Sequence, residues 1–360
     1  MTGAGTADVT PPTPGPGNAV TDVPGVLVGH HHRLDAGWAT GCTVLLTPEG
    51  VTAGVDVRGG APGTRETDLL APGRLVERVN AICLAGGSAY GLAAADGVMR
   101  WLGARGHGFR VGPEPGNTGG AVDGPVPNVV PIVPAAVLFD LEETAWGRVP
   151  DAGFGHHACE DASGEPPATG SVGAGAGAAA GSLRGGVGTA SVLLPTGWTV
   201  GALTVANPAG EVVDPATGLP FGWPLGFPGE FGLVPPSADE IRRAAARRAP
   251  ARSLNTLIGA VVTDADLTRA ECGRVAAVAH DGIARSVRPA HSVFDGDTLF
   301  TLATGRRPLP PTGPARTALV DELAQAAADV VARAVVHAVL AAAPGGVVPS
   351  YRELYPSALG

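Results

Sequence analysis

Thr256 follows Asn255 where an arginine- and proline-rich stretch gives way to the apolar run Leu257-Ile-Gly-Ala-Val-Val262. On the dipeptide alone, the plain reading is a polar turn residue ahead of a β-branched strand starter. Its position suggests different chemistry. If the peptide bond between them breaks, Thr256 becomes an N-terminus that carries a hydroxyl and an amine on one residue. A hydroxyl is a weak nucleophile until a base takes its proton, and a free α-amine with a pKa of about 7.7–8.0 suits that task near neutrality. All 24 basic residues are arginine, so no lysine amine is available as a base or Schiff-base former.

Other candidate groups are weaker. Asp295-Gly-Asp297 places two carboxylates close together, able to bind a cation, orient a catalytic group or simply turn the chain. His30-His31-His32 reads as a surface turn rather than a metal site, because neighbours on an extended chain point to alternate faces and no partner cluster has ligand spacing. The run Gly173-Ala-Gly-Ala-Gly-Ala-Ala-Ala-Gly181 lacks the preceding strand and the downstream acid of a dinucleotide site. Its glycines are better explained by close backbone approach. No Walker A sequence is present, and no metal or organic cofactor is expected.

Composition narrows the class. The chain has 360 residues with a net charge of −9, 44% hydrophobic and 16% charged, which describes a folded globular protein of one large domain or two ordinary ones. An acidic balance without a basic stripe argues against nucleic-acid binding. The four cysteines lie far apart and read as reduced, buried thiols. No signal peptide is seen and no uninterrupted apolar run suggests a membrane span, so a cytoplasmic protein is expected.

The elements that must hold these groups follow from punctuation and periodicity. Residues 1–19 are expected to be a disordered tail. Short strands are expected at 26–29, 42–47, 51–57, 80–84, 135–139, 189–194 and 199–206. Ser88 should cap a helix through Leu102, and residues 59–70 should form a glycine-rich loop. Residues 221–255 read as a linker with a solvated helical piece. Beyond it come a strand at 256–262, a helix opened by the capping box Thr268–Glu271 and stopped by Pro289, a strand at 297–303 and a long Ala/Val helix at 315–343. That order suggests sheets covered by helices in layers.

Six segments occur in the order of a known family: Thr21–His30 (TDVPGVLVGH), Arg58–Thr64 (RGGAPGT), Gly86–Leu92 (GGSAYGL), Val172–Gly177 (VGAGAG), Asn255–Gly259 (NTLIG) and Phe294–Thr298 (FDGDT). From about residue 20 onward the chain resembles the self-processing N-terminal-nucleophile hydrolases that include L-aminopeptidase/D-esterases, β-peptidyl aminopeptidases and nylon-oligomer hydrolases. The resemblance implies a four-layered α/β/β/α sandwich, of the type shared with ornithine acetyltransferases. One catalytic domain would be built from a large fragment (20–255) and a small fragment (256–360).

It implies Thr256 as the nucleophile, Asn255-Thr256 as the self-cleavage site and Asn207 as the oxyanion-hole asparagine. Asp295 and Asp297 match the carboxylates that orient the nucleophile's neighbourhood. Ser88, Tyr90 and Phe139 would contact substrate, a small peptide or amide. The tyrosine of characterised members falls on Phe139, and the lysine of the nylon-oligomer members falls on Ser182. Ser182 can relay a proton without supplying charge, and Arg184 can supply charge without acting as a base. A homotetramer or larger homo-oligomer is expected, with no metal. Acyl transfer of the ornithine acetyltransferase type, and an uncleaved pseudoenzyme with a binding role, are the alternative readings.

Overall fold

The computed structural model describes residues 11–112, 128–247 and 254–359. The first half contains β1 (Leu27–Arg33), β2 (Thr40–Val57), β3 (Gly63–Arg65), β4 (Arg78–Ala85) and α1 (Ala94–Gly103). A short antiparallel pair of β5 (Phe109–Arg110) and β6 (Val129–Val130) precedes β7 (Ala135–Val137) and α2 (Ala152–Asp161). Then come β8 (Ala179–Ala180), β9 (Leu183–Arg184), β10 (Gly186–Leu193), β11 (Thr199–Ala206) and α3 (Ala238–Ala246). The C-terminal part adds β12 (Ile258–Ala265), α4 (Arg269–Ser286), β13 (Thr298–Arg307), α5 (Pro314–Ala341) and α6 (Tyr351–Leu354).

One mixed sheet runs β10-β11-β12-β13-β2-β4-β7-β3, with β1 also paired to β2. The long β2 joins its two halves. The first part of β2 pairs with β1 and β4, and the last part pairs with β13. Its register to β4 shifts between Leu46 and Val51, where the strand leaves one layer for the other.

Alternation along the strands then fills three cores between four layers. Leu45, Ile82 and Leu84 meet Leu203, Ile258 and Phe300 in the middle, between the two sheet halves. The opposite faces bury Val44, Cys83 and Ala135 under α1 and α2, and Val200, Val261 and Leu299 under α4 and α5. Each fully buried Val, Leu or Phe contributes roughly 1.5–3 kcal/mol of hydrophobic stabilisation. This is the expected α/β/β/α sandwich.

Several local expectations change. Residues 42–47 and 51–57 belong to one strand instead of two. The chain from 11 to 19 is not loose: Thr13 pairs with Leu193 of β10, and Ala19 is fully buried. Residues 221–237 are likewise docked. The Glu230 carboxylate is buried against Arg333 of α5 at 2.8 Å, with His337 at the same distance. Residues 248–253 of that linker, like residues 1–10 of the tail, fall outside the described part. Ser88 does not cap a helix. It has φ +53° and opens a 3-10 segment, with regular helix beginning at Ala94.

Helix α2 was not expected, because two glycines and two histidines in ten residues carry little helical signal. Asp151 caps it, and tertiary packing makes it. A Cβ on Gly155 would sit 1.9 Å from the Ala94 carbonyl oxygen, and one on Gly97 would sit 1.7 Å from that of Ala152, so the glycines let α1 and α2 touch. The three histidines lie on β1, not in a turn; His30 Nδ1 contacts Thr43 Oγ1, and burial lowers its pKa to about 4. Helix α5 is long and apolar enough to cross a membrane by composition, contrary to the sequence expectation. Yet 78% of its apolar window is buried, packed on α4, β10 and β11.

Candidate active site

Thr256 lies just ahead of β12, at the head of the sheet, and is only 4% exposed. Its backbone N–H donates to the Asn207 carbonyl at 2.8 Å, at the end of β11. Its hydroxyl contacts the carbonyl of Asn255, the acyl group of the bond that would break. Gly296 N–H donates to the same hydroxyl at 3.2 Å. The Thr256 hydroxyl is thus held between the turn before β13 and its own preceding peptide.

Asp295 and Asp297 flank Gly296, and both carboxylates are directed at the backbone. Asp295 accepts from Ala209 N at 2.9 Å and from Ser292 Oγ at 2.6 Å. Burial raises its pKa, partly offset by those hydrogen bonds. Asp297 accepts from Leu257 N at 2.8 Å, the residue after Thr256, and its other oxygen lies 2.7 Å from His291 Nδ1. Two carboxylates therefore fix the segments on either side of Thr256: one holds the chain leaving Asn207, the other holds the start of β12.

Asn207 is fully buried. Its Oδ1 accepts from Ala179 N at 2.8 Å, and its Nδ2 donates to the Phe139 carbonyl at 3.1 Å. One amide therefore ties β8 to the chain after β7. Asn255, 2% exposed, turns its Nδ2 toward the carbonyls of Asn207 (3.0 Å), Pro208 (3.3 Å) and Ala179 (3.4 Å), while its Oδ1 has no partner.

A cleft of about 190 Å³ opens onto Asn255 and Thr256, walled by Pro62, Val137, Phe139 and Phe294 with Ser88 on its lining. Among the described residues, no ionisable side chain lines it. Phe139 and Ser88 join Thr256 there. Tyr90, 62% exposed, is not part of that lining.

Ser182 is not in this cleft either. It lies in the turn between β8 and β9, with its hydroxyl donating to Glu211 at 2.9 Å in a separate cavity. Arg184 is buried and donates to the Ala176 carbonyl at 2.8 Å, with Glu143 3.8 Å away. Gly177 shows why the glycine run exists: a Cβ there would lie 1.9 Å from the Ala39 carbonyl oxygen.

Sequence reasoning missed His291 and the carbonyls around Asn255. His291 stands four residues before Asp295, a spacing with no signature of its own. Backbone carbonyls leave no trace in residue types at all.

A hydroxyl held at the head of a strand, against the carbonyl of the preceding peptide in a layered sandwich, is the layout of an N-terminal-nucleophile amide hydrolase. A family model described as Peptidase family S58 matches residues 18–347, and the chain belongs to that family. An uncharacterized aminopeptidase of Mycobacterium tuberculosis is 51% identical over 359 residues, covering 95% of this chain and 99% of its own. A 6-aminohexanoate-oligomer endohydrolase of Kocuria sp. is 32% identical, covering 83% and 82%.

Among solved structures, a β-aminopeptidase of Burkholderia sp. aligns with a TM-score of 0.68 at 26% identity, over 96% of this chain and 94% of that one. The L-aminopeptidase D-Ala-esterase/amidase of Ochrobactrum anthropi, described as a variant of the Ntn hydrolase fold, aligns at 0.70 over 94% and 90%. At 23% identity it speaks for the fold alone. The protein is an amide hydrolase, a peptide-bond hydrolase by family, with a fold like that of the Ntn hydrolases. Acyl transfer is not favoured by these relatives.

Proposed function

We propose that the chain cleaves itself between Asn255 and Thr256, and that the mature enzyme hydrolyses amide bonds of short peptides, peptide amides or ω-amino-acid oligomers. The observation that carries this reading is the contact of the Thr256 hydroxyl with the Asn255 carbonyl in a buried junction. Before cleavage the Thr256 nitrogen is an amide and cannot serve as a base. Afterwards it is an amine beside its own hydroxyl.

In the mature enzyme Thr256 Oγ adds to the substrate carbonyl while the α-amine takes the hydroxyl proton. Asn207, whose Nδ2 has one N–H directed at Phe139, supplies its second N–H to the oxyanion. The proton passes to the leaving nitrogen, the C–N bond breaks, and an ester on Thr256 remains. Water then hydrolyses the ester, giving the acid and restoring the hydroxyl. The apolar walls at Pro62, Val137, Phe139 and Phe294 suit the hydrocarbon stem of an acyl chain next to the scissile bond.

Intact-mass measurement tests the first step. Wild-type protein should give fragments 1–255 and 256–360, and Thr256→Ala a single full-length chain without amidase activity. Normal cleavage in that variant would remove the threonine from the mechanism.

A further inference from the structure

Asn255 is the acyl-side residue of the bond that Thr256 breaks, so its side chain marks how the site receives an acyl group. The Nδ2 of that buried side chain meets three backbone carbonyls, from Ala179, Asn207 and Pro208, at 3.0–3.4 Å. Three acceptors on one side identify this atom as the nitrogen, and Oδ1 faces no donor. Among the described residues, every hydrogen-bond partner of this side chain is therefore an acceptor.

Its walls are also held in place. Asn207 Oδ1 accepts from Ala179 N at 2.8 Å, which joins two members of the set. Asp295 accepts from Ala209 N, the residue after Pro208, and Gly181 N donates to the Pro208 carbonyl at 3.0 Å. An amide nitrogen has two hydrogens for these three oxygens, whereas an ammonium has three.

We infer that the carbonyls of Ala179, Asn207 and Pro208 form a subsite for a substrate amino group carried on the fourth carbon of the acyl chain. The distance follows from covalent geometry. Counting the scissile carbonyl carbon of Asn255 as the first, Cα, Cβ and Cγ are the second to fourth, and Nδ2 is attached to the fourth. Self-cleavage frees residue 255 to leave, and the acceptors remain beside Thr256. Substrates with a matching nitrogen are 4-aminobutyryl amides, with asparaginyl amides presenting a neutral donor at the same reach. An α-amino group, on the second carbon, falls short of the subsite, and a 6-amino group lies two methylenes beyond it. This assignment rests on the hydrolase reading above and narrows its substrate class.

The test uses fully cleaved enzyme and the p-nitroanilides of 4-aminobutyrate, pentanoate, glycine and 6-aminohexanoate, each corrected for its uncatalysed rate. Pentanoate replaces the ammonium with a methyl group at equal length. The expected result is a 4-aminobutyryl preference over pentanoyl on the order of ten- to a hundredfold in kcat/KM, the range for a hydrogen bond to a charged group. Equal or better hydrolysis of the pentanoyl compound overturns the subsite. Turnover of the glycyl or 6-aminohexanoyl compound in preference to 4-aminobutyryl overturns it while leaving the hydrolase reading intact.

If processed enzyme cleaves none of them, the hydrolase reading falls on these probes, and the subsite is judged on self-cleavage. There Asn255→Leu, which keeps the shape without the donor, should slow processing by about tenfold. Asn255→Asp, which sets a carboxylate against the carbonyls, should slow it further. Wild-type processing rates in both variants overturn the subsite, as does a wild-type chain that never cleaves.

Discussion

Two cavities of about 190 Å³ each, one lined by Ser182 and the other by Thr256, contain a hydroxyl residue with a carboxylate nearby. In the first, Ser182 donates directly to Glu211, and Arg247 and Tyr355 complete a lining that mixes charge with apolar surface. In the second, the carboxylates of Asp295 and Asp297 bind backbone N–H groups, leaving the Thr256 hydroxyl against a carbonyl. Buried carboxylates that hold backbone N–H groups and leave the Thr256 hydroxyl out of their hydrogen bonds distinguish this site from the one around Ser182.

The contrast breaks most easily at Asn207. If its amide holds the oxyanion, Asn207→Ala should lower kcat by about 10²–10³ with a smaller change in KM. Steady-state kinetics on processed enzyme would show wild-type kcat if this residue serves only to tie β8 to the Phe139 segment.

Asp297 sharpens the same point through pH. The kcat/KM profile should rise through an apparent pKa of roughly 7–8 as the Thr256 amine loses its proton. An ionised carboxylate nearby favours the protonated amine, so Asp297→Asn should move that limb to lower pH. A flat wild-type profile between about pH 6 and 9 would exclude the amine as the rate-limiting base.

Asp140 gives a smaller effect, on stability. It is buried behind the cleft wall with one oxygen accepting from Gly87 N at 2.7 Å, and burial pushes its pKa up to about 7. The native state then binds the proton more tightly than the unfolded chain. Stability should therefore fall as pH rises from about 4 through 7, by on the order of a few kcal/mol. Asp140→Asn keeps an acceptor for Gly87 and should flatten that slope; thermal melts from pH 5 to 8 on both proteins would reveal an unchanged slope if Asp140 is not its source.

Ser182→Ala should do least. Loss of the Glu211 bond should cost about 1 kcal/mol of stability, and kcat/KM should change less than about twofold, with the rising pH limb preserved. A large kinetic loss would bring the two cavities into one site.

Much of the architecture was legible because periodicity and caps are local. The Thr268 capping box, the strands around Val200 and Val261 and the long α5 all follow from residue spacing. Helix α2 and the docked segments 11–19 and 221–237 were not legible. Their order depends on distant partners: the Ala94 carbonyl under Gly155, Leu193 beside Thr13, and Arg333 and His337 around Glu230.

By itself the sequence determined which residues can react. It contains one Asn-Thr junction ahead of an apolar strand, paired aspartates before another, and no lysine to act as a base. Residue type carries that chemistry wherever the chain goes. Only the tertiary structure decided which groups meet. It brought Gly296 and Asn207 from other strand ends to Thr256, sent Ser182 to Glu211, and gathered three carbonyls around Asn255. Backbone carbonyls are the same in every residue, so only the fold can make a particular set of them a site.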